Sequence, residues 1–162
     1  MTQTICQLCV MDDSDPDIQF FGAEGCNHCM RARDRVKNDA FPGAEGEAKL
    51  AKIVEVMKEA GHGKPYDCLV GISGGVDSSY VIWKAKQLGL RPLALHLDNG
   101  WNSELAVSNI EQLMTKLGID LVTHVVDWEE IRDLQRSCFN APLLDIEIIS
   151  DHAIFAIMFK TA

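Results

Sequence analysis

The sequence predicts an α/β protein, in which a parallel-sheet domain follows a small module that contains two pairs of cysteines. From Tyr66 onward, short apolar runs alternate with amphipathic stretches in the order strand, helix, strand, helix, strand, helix. This order is typical of βαβ units with right-handed crossovers and a parallel sheet. The predicted strands are residues 68–72, 92–97 and 121–126, and the predicted helices of this domain are 77–88, 103–117, 128–138 and 143–160.

Each predicted element has its own local signal. Residues 68–72 are apolar throughout, as expected of a strand that is covered on both faces. The first two helices of the domain place apolar side chains at helical spacing and are followed by Gly89 and Gly118. Asp127, with Glu130 three residues later, resembles a capping box. Residues 143–160 are apolar on almost every side and predict a buried helix.

The sequence divides into three predicted parts. Residues 1–35 are polar and rich in turns, so they cannot form a hydrophobic core alone and need another stabilising element. Residues 36–65 form a linker with a helix at 47–60, and residues 66–162 form the α/β domain. Because the sequence finishes on an apolar helix after three strands, we expect it to be the N-terminal portion of a longer protein whose last domain is truncated.

The composition argues against several classes of protein. The 162 residues include 24 acidic and 15 basic side chains, a net charge of −9, which disfavours a nucleic-acid partner. The sequence shows no signal peptide and no apolar run of membrane-spanning length, so we expect a cytoplasmic protein without a membrane partner. Its six cysteines are then expected to be thiols or metal ligands. Cys68 and Cys138 lie on apolar faces and are expected to be packing residues.

A loop rich in glycine and serine, Ser73-Gly-Gly-Val-Asp-Ser-Ser79, lies between the first predicted strand and its helix. In open α/β sheets, ligands bind outside the carboxyl ends of the strands. Gly74 and Gly75 allow a tight turn with exposed N–H groups, and the helix N-terminus that follows favours an anion. Ser73, Ser78 and Ser79 add hydroxyl donors. The alternative is a glycine turn that only joins a strand to a helix.

The pattern Ser-Gly-Gly-x-Asp-Ser resembles the PP-loop of ATP pyrophosphatases, an adenine nucleotide alpha hydrolase-like fold, and differs from the Walker A and dinucleotide motifs. The resemblance implies that the loop binds the β- and γ-phosphates of ATP through Ser73, Gly74, Gly75, Val76, Asp77, Ser78 and Ser79. It implies catalytic roles for Ser73 and Asp77, with Asp77 holding Mg²⁺ or orienting the loop. An acidic residue is favourable at a helix start in any case. Asp98 would line the ATP pocket, although Asp98-Asn-Gly is also a turn sequence.

The cysteines Cys6, Cys9, Cys26 and Cys29 have the spacing C-x2-C-x16-C-x2-C. This spacing is typical of a zinc ribbon, in which two knuckles complete a tetrahedral site. Zinc would supply the folding free energy that residues 1–35 lack. An iron–sulfur cluster on the same thiolates and four unliganded thiols are the alternatives. His28 is not needed as a ligand, because four thiolates already complete the site.

Several runs of sequence resemble the N-acetyl sugar amidotransferase family. They are Cys6-x-x-Cys-Val-Met-Asp, Gly25-Cys-Asn-His-Cys29, Tyr66-Asp-Cys, Gly71-Ile-Ser-Gly-Gly-Val-Asp-Ser-Ser-Tyr80, Leu97-Asp-Asn-Gly-Trp-Asn-Ser-Glu104 and Ser150-Asp-His-Ala153. The resemblance implies substrate contacts from Trp101, Asp151 and His152, although a helix-start aspartate and a core histidine explain the last two nearly as well. The family continues beyond residue 162 with further strands.

The family resemblance also implies a reaction and its partners. ATP would adenylate the acetamido oxygen of a nucleotide-linked N-acetyl sugar, and ammonia would replace AMP to leave an acetamidino group. Such enzymes contribute to bacterial surface polysaccharides, including lipopolysaccharide and pseudaminic or legionaminic acids. The sequence has no glutaminase signature, so a separate glutaminase subunit would supply ammonia, through a cyclase-like channel subunit.

Two alternatives remain open from the sequence. A tRNA sulfurtransferase can also place a zinc ribbon before this loop, but such enzymes usually need further cysteines in the loop domain and a basic face. The loop domain here has only Cys68 and Cys138, and the chain is acidic. The second alternative is a zinc-stapled, ATP-binding regulatory module without catalysis.

Overall fold

A computed structural model describes residues 4–162 of the chain. The chain forms two compact units, of which the first ends at Lys52 and the second begins at Ile53. The helices are α1 (Asn27–Asp39), α2 (Ala44–Ala60), α3 (Val76–Gln87), α4 (Glu104–Leu117), α5 (Trp128–Asn140) and α6 (Ile148–Thr161), and the strands are β1 (Cys68–Gly71), β2 (Pro92–Asp98) and β3 (Leu121–Val125). None of the helices in residues 4–162 is long and apolar enough to cross a membrane.

The first unit is organised around its cysteines. A one-turn 3-10 helix at Gly22–Glu24 precedes α1, and single antiparallel bridges pair Ile5 with Asp12 and Phe20 with Cys26. Its buried cluster consists of Cys6, Cys26 and Cys29, with Cys9 and Ile18 packed against it. Since this cluster is made almost entirely of thiols, hydrophobic burial alone contributes little to the stability of the unit.

The second unit contains the predicted parallel sheet, with the strands in the order β1-β2-β3. Val70 pairs with Ala94, and Leu95 pairs with Val122. Side chains alternate along β2, so Ala94 packs with α3 and α4 on one face of the sheet, whereas Leu95 lies on the face that α6 approaches. The core on the first face joins Ile72, Ile82, Ala94, Ile110, Met114 and Ile119.

The helix ends follow the predicted local chemistry. Ser103 caps α4 by accepting a hydrogen bond from the N–H of Ala106, with 3.1 Å between the nitrogen and Oγ. Gly118 ends the same helix in the left-handed conformation at φ +59°. Asp127 caps α5 by accepting from the N–H groups of Glu129 and Glu130.

One predicted helix boundary and two predictions about burial are wrong. The last helix begins at Ile148 rather than at residue 143, because Asp145 accepts a hydrogen bond from the N–H of Glu147 and ends the preceding segment as a turn. Ser150 is the only buried residue of α6, so its apolar composition does not reflect burial in the described chain. Strand β1 is half-buried along its length rather than fully covered.

The two isolated cysteines pack as predicted. Cys138 is buried in α5, and half-buried Cys68 lies against the cluster of Val54, Ala85 and Leu90. The described cysteines are all free thiols.

Candidate functional site

The loop between β1 and α3 is held in a tight turn by α4. Gly74 has a φ of +77°, and a Cβ at this position would lie 2.4 Å from the carbonyl oxygen of Ala106. Asn109 donates a hydrogen bond from Nδ2 to the Gly74 carbonyl over 3.2 Å. Only glycine meets both the backbone conformation and the close approach. Gly75 follows as the N-cap of α3, so the loop leads directly into the helix N-terminus.

The loop serines form a connected set of hydroxyl groups. The Oγ atoms of Ser73 and Ser78 are 3.1 Å apart, and the N–H of Ser73 donates to Ser78 Oγ over 3.2 Å. Ser79 donates from Oγ to the carbonyl of Gly75 over 2.7 Å. Val76, the first residue of α3, is 80% exposed. Hydroxyl groups and the partial positive charge of a helix N-terminus therefore occupy one exposed turn, which is a suitable site for phosphate oxygens.

Asp77 lies in the first turn of α3, on the exposed side of the loop. Its carboxylate has no hydrogen bond or ion pair with any of residues 4–162. A carboxylate oxygen is a ligand that Mg²⁺ prefers, usually together with substrate phosphates. The donor available here therefore fits the predicted Mg²⁺, which would neutralise phosphate charge when bound.

A cleft of about 350 Å³ opens at the carboxyl ends of β1 and β2. Ser73 and Ser78 line it on the loop side, and Asn99, Asn102 and Asp151 line it on the other side. Asn99 is oriented by a hydrogen bond from Nδ2 to Ser150 Oγ over 3.4 Å. The cleft therefore brings together two predicted loop residues, the predicted Asp151, and Asn99 and Asn102 from the run Leu97–Glu104 that carries the family resemblance.

The predicted residue Asp98 has a defined role in the turn that follows β2. Its Oδ1 atom accepts hydrogen bonds from the N–H of Gly100 over 3.0 Å and from Asn102 Nδ2 over 2.8 Å. Asp98 therefore fixes Asn102, a residue of the loop cleft, while its own side chain lines a separate cavity beside α4.

Trp101 and His152 lie apart from the loop cleft. Trp101 donates from Nε1 to Gln135 Oε1 over 3.0 Å and packs edge-to-face on Trp128, with 5.6 Å between ring centroids. His152 donates from Nδ1 to the Ile148 carbonyl of its own helix over 2.7 Å, so Nδ1 carries the proton. Its ring lines an apolar groove between α5 and α6. Their substrate roles remain predictions.

His96 is a buried polar residue that the sequence reading missed. It is 7% exposed, and its Nδ1 donates to the carbonyl of Ile72, directly before the loop, over 2.9 Å. The alternation of side chains along β2 is enough to assign His96 to a buried face of the sheet. Its hydrogen bond to Ile72 could not be predicted, because that contact depends on strand order and register. His96 links the second strand to the start of the loop.

The four predicted metal ligands converge in the first unit. All four thiol sulfur atoms lie within 4.8 Å of one another. The separations are 3.7 Å for Cys6 to Cys29, 3.5 Å for Cys9 to Cys26 and 3.9 Å for Cys26 to Cys29. A tetrahedron with zinc–sulfur bonds of about 2.3 Å has sulfur–sulfur edges of about 3.8 Å. The donor set therefore fits zinc.

The thiols differ in their readiness to ionise. Backbone N–H groups of Cys9 and Leu8 lower the pKa of Cys6 to about 6. The N–H of Met11 also acts to lower the pKa of Cys9, but the neighbouring thiols, Cys29 foremost, and burial raise it to about 12. A bound metal cation would stabilise all the adjacent thiolates at once, and would therefore lower the pKa of Cys9 as well.

His28 is oriented away from a ligand role. Its Nε2 lies 2.6 Å from Asp15 Oδ2, and its Nδ1 lies 2.9 Å from Arg31 Nη2. Since Arg31 can only donate, Nδ1 accepts and Nε2 donates to Asp15. The N–H of Asp17, together with His28, lowers the pKa of Asp15. The histidine therefore joins α1 to the preceding turns.

Comparison with known proteins gives limited matches. No family model matches the sequence. Over 67 residues, which are 40% of this chain and 21% of the relative, the sequence is 33% identical to a tRNA(Ile)-lysidine synthase from Chlamydia pneumoniae. An NH3-dependent NAD synthetase from Campylobacter jejuni, solved with nitrate, is similar with a TM-score of 0.48 and 14% identity, over 70% of this chain and 51% of that one. The chain thus spans about half of that structure.

The fold, the loop and the sequence similarity together indicate the class of this protein. The predicted α/β fold with a parallel sheet is confirmed, and the Ser-Gly-Gly-x-Asp-Ser loop lies between β1 and α3, where such sheets bind ligands. These features indicate a PP-loop protein of the ATP-pyrophosphatase type, with a four-cysteine cluster compatible with a zinc ribbon in its first unit.

Proposed function

We propose that this chain is the ATP-binding portion of an AMP-forming amidotransferase that converts the acetamido group of an N-acetyl sugar to an acetamidino group. The observation that carries the ATP-dependent part is the loop Ser73–Ser79, which leads from β1 into α3 and opens onto a cleft that Asn99 and Asn102 also line. The sugar specificity rests on the sequence runs around Cys6, Leu97 and Ser150 that resemble the N-acetyl sugar amidotransferases.

The proposed chemistry begins with ATP bound along the loop. The acetamido oxygen attacks the α-phosphorus, the bond to the β-phosphate breaks, and pyrophosphate leaves. Ammonia then adds to the activated carbon, and AMP departs with the original oxygen while the adduct loses a proton. No nucleophilic side chain is required, since positioning and electrostatic stabilisation of the phosphates carry the acceleration.

Individual residues have distinct proposed tasks. Ser73 and Ser78 orient phosphate oxygens through their hydroxyl groups, and the N-terminus of α3 stabilises the charge on the departing pyrophosphate. Asp77 holds Mg²⁺ from the exposed side of the loop. Asn99 and Asn102 supply amide groups to the opposite wall of the cleft. Asp151, on the same wall, contacts the substrate rather than the phosphates in this proposal, because its carboxylate would repel phosphate charge.

The remaining partners follow from the same proposal. A separate glutaminase supplies ammonia through a channel subunit, and the reaction takes place in the cytoplasm. Cys6, Cys9, Cys26 and Cys29 would hold a zinc ion that stabilises the first unit, and a full set of four thiolates would keep this ion out of the reaction.

Pyrophosphate release tests the proposal. With ATP, Mg²⁺ and ammonium, addition of a UDP-linked N-acetyl sugar should stimulate release. Ser73→Ala should reduce the stimulated rate by about tenfold or more, since a donor to the phosphates is lost. Ser137→Ala, on the exposed side of α5, is the matched control and should leave the rate unchanged. ATP binding without turnover under any of these conditions would instead favour a regulatory module.

A tRNA-modifying ligase is the second candidate. The 33% identity over 67 residues to a tRNA(Ile)-lysidine synthase favours it, whereas the net charge of −9 disfavours an RNA-binding surface. The same assay separates the two functions when tRNA replaces the sugar. Stimulation by tRNA and not by the sugar would overturn the amidotransferase proposal.

A further inference from the structure

A cavity beside the loop cleft lies between α4, the carboxyl half of β2 and the amino half of β3. We call it the α4 cavity; its volume is about 580 Å³, within the range of small-molecule sites. Val107, Ile110 and Met114 form an apolar wall on α4, and Leu121 continues it on β3. One side of a ligand would therefore contact hydrocarbon.

The polar lining of the α4 cavity includes His96, a buried residue with one ring nitrogen that makes no hydrogen bond to the described residues. His96 is 7% exposed and gives its Nδ1 proton to the Ile72 carbonyl. In the neutral ring, Nε2 is then an acceptor. Among the described residues, none donates a hydrogen bond to Nε2. Every fully buried side-chain nitrogen in this part of the chain has a partner, so Nε2 is not fully buried and is accessible from the cavity that His96 lines.

The other polar side chains of the α4 cavity also accept hydrogen bonds. Asp98 uses Oδ1 for Gly100 and Asn102, which leaves Oδ2 for a ligand. Glu111 adds a second carboxylate, and no lysine or arginine lines the cavity in the described part of the chain. Two carboxylates without a cation repel phosphate and favour a neutral ligand that donates hydrogen bonds.

The α4 cavity adjoins the loop cleft. His96 and Asn102 line both spaces, so a ligand in the cavity can reach the region beside Ser73 and Ser78. A phosphate group would lie at the loop, while an uncharged, hydroxyl-bearing group would lie in the cavity. The charges of the two spaces thus favour the phosphates of ATP at the loop and the uncharged sugar ring of the acceptor in the cavity.

We propose that the α4 cavity binds the hydroxyl-bearing ring of the acceptor sugar. Sugar hydroxyls donate to His96 Nε2, Asp98 and Glu111, and the apolar face of the ring packs on the α4 wall. The acetamido group is directed through the shared boundary at Asn102 towards the loop cleft. This inference rests on the proposed function, since that function supplies the sugar as acceptor.

Saturation-transfer NMR on the full chain tests this assignment with N-acetylglucosamine as the probe. The wild-type chain should transfer saturation to the ring protons. Thr115→Trp, which fills the α4 cavity from α4, should reduce the transfer severalfold and should leave ATP binding unchanged. Leu105→Trp places the same side chain on an exposed part of α4 outside the cavity and should behave as the wild type.

Removing the charge of Glu111 tests the same assignment independently. Glu111→Gln should weaken sugar binding by about tenfold, since a hydrogen bond to a charged acceptor becomes a neutral one. Glu104→Gln, on the same helix and outside the cavity, is the control and should have no effect.

The outcomes distinguish this inference from the proposed function. Sugar signals that persist in Thr115→Trp, or that inorganic pyrophosphate displaces from the wild type, would overturn the assignment of the cavity. Failure of the wild-type chain to bind ATP, with sugar binding still sensitive to Thr115→Trp, would instead count against the proposed function and leave the cavity a carbohydrate site.

Discussion

Gly74 combines two constraints at one residue. Its φ of +77° lies in the left-handed region, and the space where a Cβ would lie is already occupied by the backbone of Ala106. Neither constraint can be relieved by rotating a side chain, because the obstructing atoms belong to helix α4. The shape of the loop therefore depends on the packing of α4 as well as on its own sequence.

Replacing Gly74 with alanine should displace the loop. We expect Gly74→Ala to lower the free energy of unfolding by about 1–3 kcal/mol and to abolish ATP binding. Thermal unfolding and calorimetric titration with ATP would measure the two effects. Gly75→Ala is the stability control, since Gly75 has a φ of −79° and its Cβ would meet only Ser73 Oγ at 3.4 Å. Equal destabilisation by both variants would contradict this account.

Val10 is a second residue with an unfavourable backbone, in this case without an obstruction. It has a φ of +57° directly after Cys9, and its side chain is 79% exposed. A β-branched residue in this conformation is strained, and removing an exposed side chain sacrifices little burial. Val10→Gly should therefore raise the free energy of unfolding of the zinc-loaded chain by about 1 kcal/mol, measured by denaturant titration.

At Gly25, beside the second cysteine pair, we expect a substitution to weaken the metal site. A Cβ here would lie 2.9 Å from Cys29 Sγ, and its φ is +93°. Gly25→Ala should therefore displace a zinc ligand and weaken zinc retention against a chelator. Retention equal to that of the wild type would show that the cysteine cluster tolerates the added methyl group.

The residues that could be predicted from sequence are those whose partners are close in the chain. The spacing of Cys6, Cys9, Cys26 and Cys29 indicated a shared site because each pair is a local turn, and the four sulfur atoms do converge. The contacts of His96 and Asn109 could not be predicted, since they depend on strand order and on how α4 packs against the loop.

At the scale of elements, an ion pair joins the starts of β1 and β2. The Arg91 guanidinium contacts the Asp67 carboxylate and also donates to the carbonyls of Lys64 and Gly61 over 2.6 Å and 2.9 Å. The Asp67 side chain is only 3% exposed. These contacts fix the end of α2 and the turn before the sheet in one arrangement.

Acid should weaken this connection. The Arg91 side chain lowers the pKa of Asp67, so the ionised carboxylate stabilises the fold above its ordinary pKa of about 3.9, and the stabilisation is lost as the pH falls through the folded-state value. Asp67→Asn should lower the unfolding midpoint at pH 7, and the gap to the wild type should narrow below about pH 4. Asp133→Asn, on exposed α5, should show no gap at either pH.

The strands and most helices could be predicted because their apolar spacing matches the element that forms. Helix α6 shows where this reasoning fails. Its residues are apolar on most sides, which predicted burial, yet Phe155 is 60% exposed and Phe159 is 83% exposed. An apolar composition shows that exposure of a helix to water is unfavourable, but it does not show which part of a protein packs against that helix.

At the scale of the whole molecule, the two compact units differ in what stabilises them. The second unit has an aliphatic core, whereas the buried cluster of the first unit is centred on thiols. A strong chelator should therefore unfold the first unit and leave the sheet intact. Hydrogen exchange should show loss of protection in α1 with retained protection in β1 and β2. Simultaneous loss in both units would contradict independent stabilisation.

The exposed strand β3 has a practical consequence for handling the protein. Among the described strands it pairs only with β2, all five of its residues are exposed, and its sequence Leu-Val-Thr-His-Val lacks lysine, arginine and acidic residues. Such a free edge is a template for intermolecular β-pairing and aggregation. Val125→Lys should slow the growth of light scattering on storage, whereas Val36→Lys, at a similarly exposed position on α1, should have little effect. Colloidal stability of the isolated chain would then depend on one strand edge more than on its net charge.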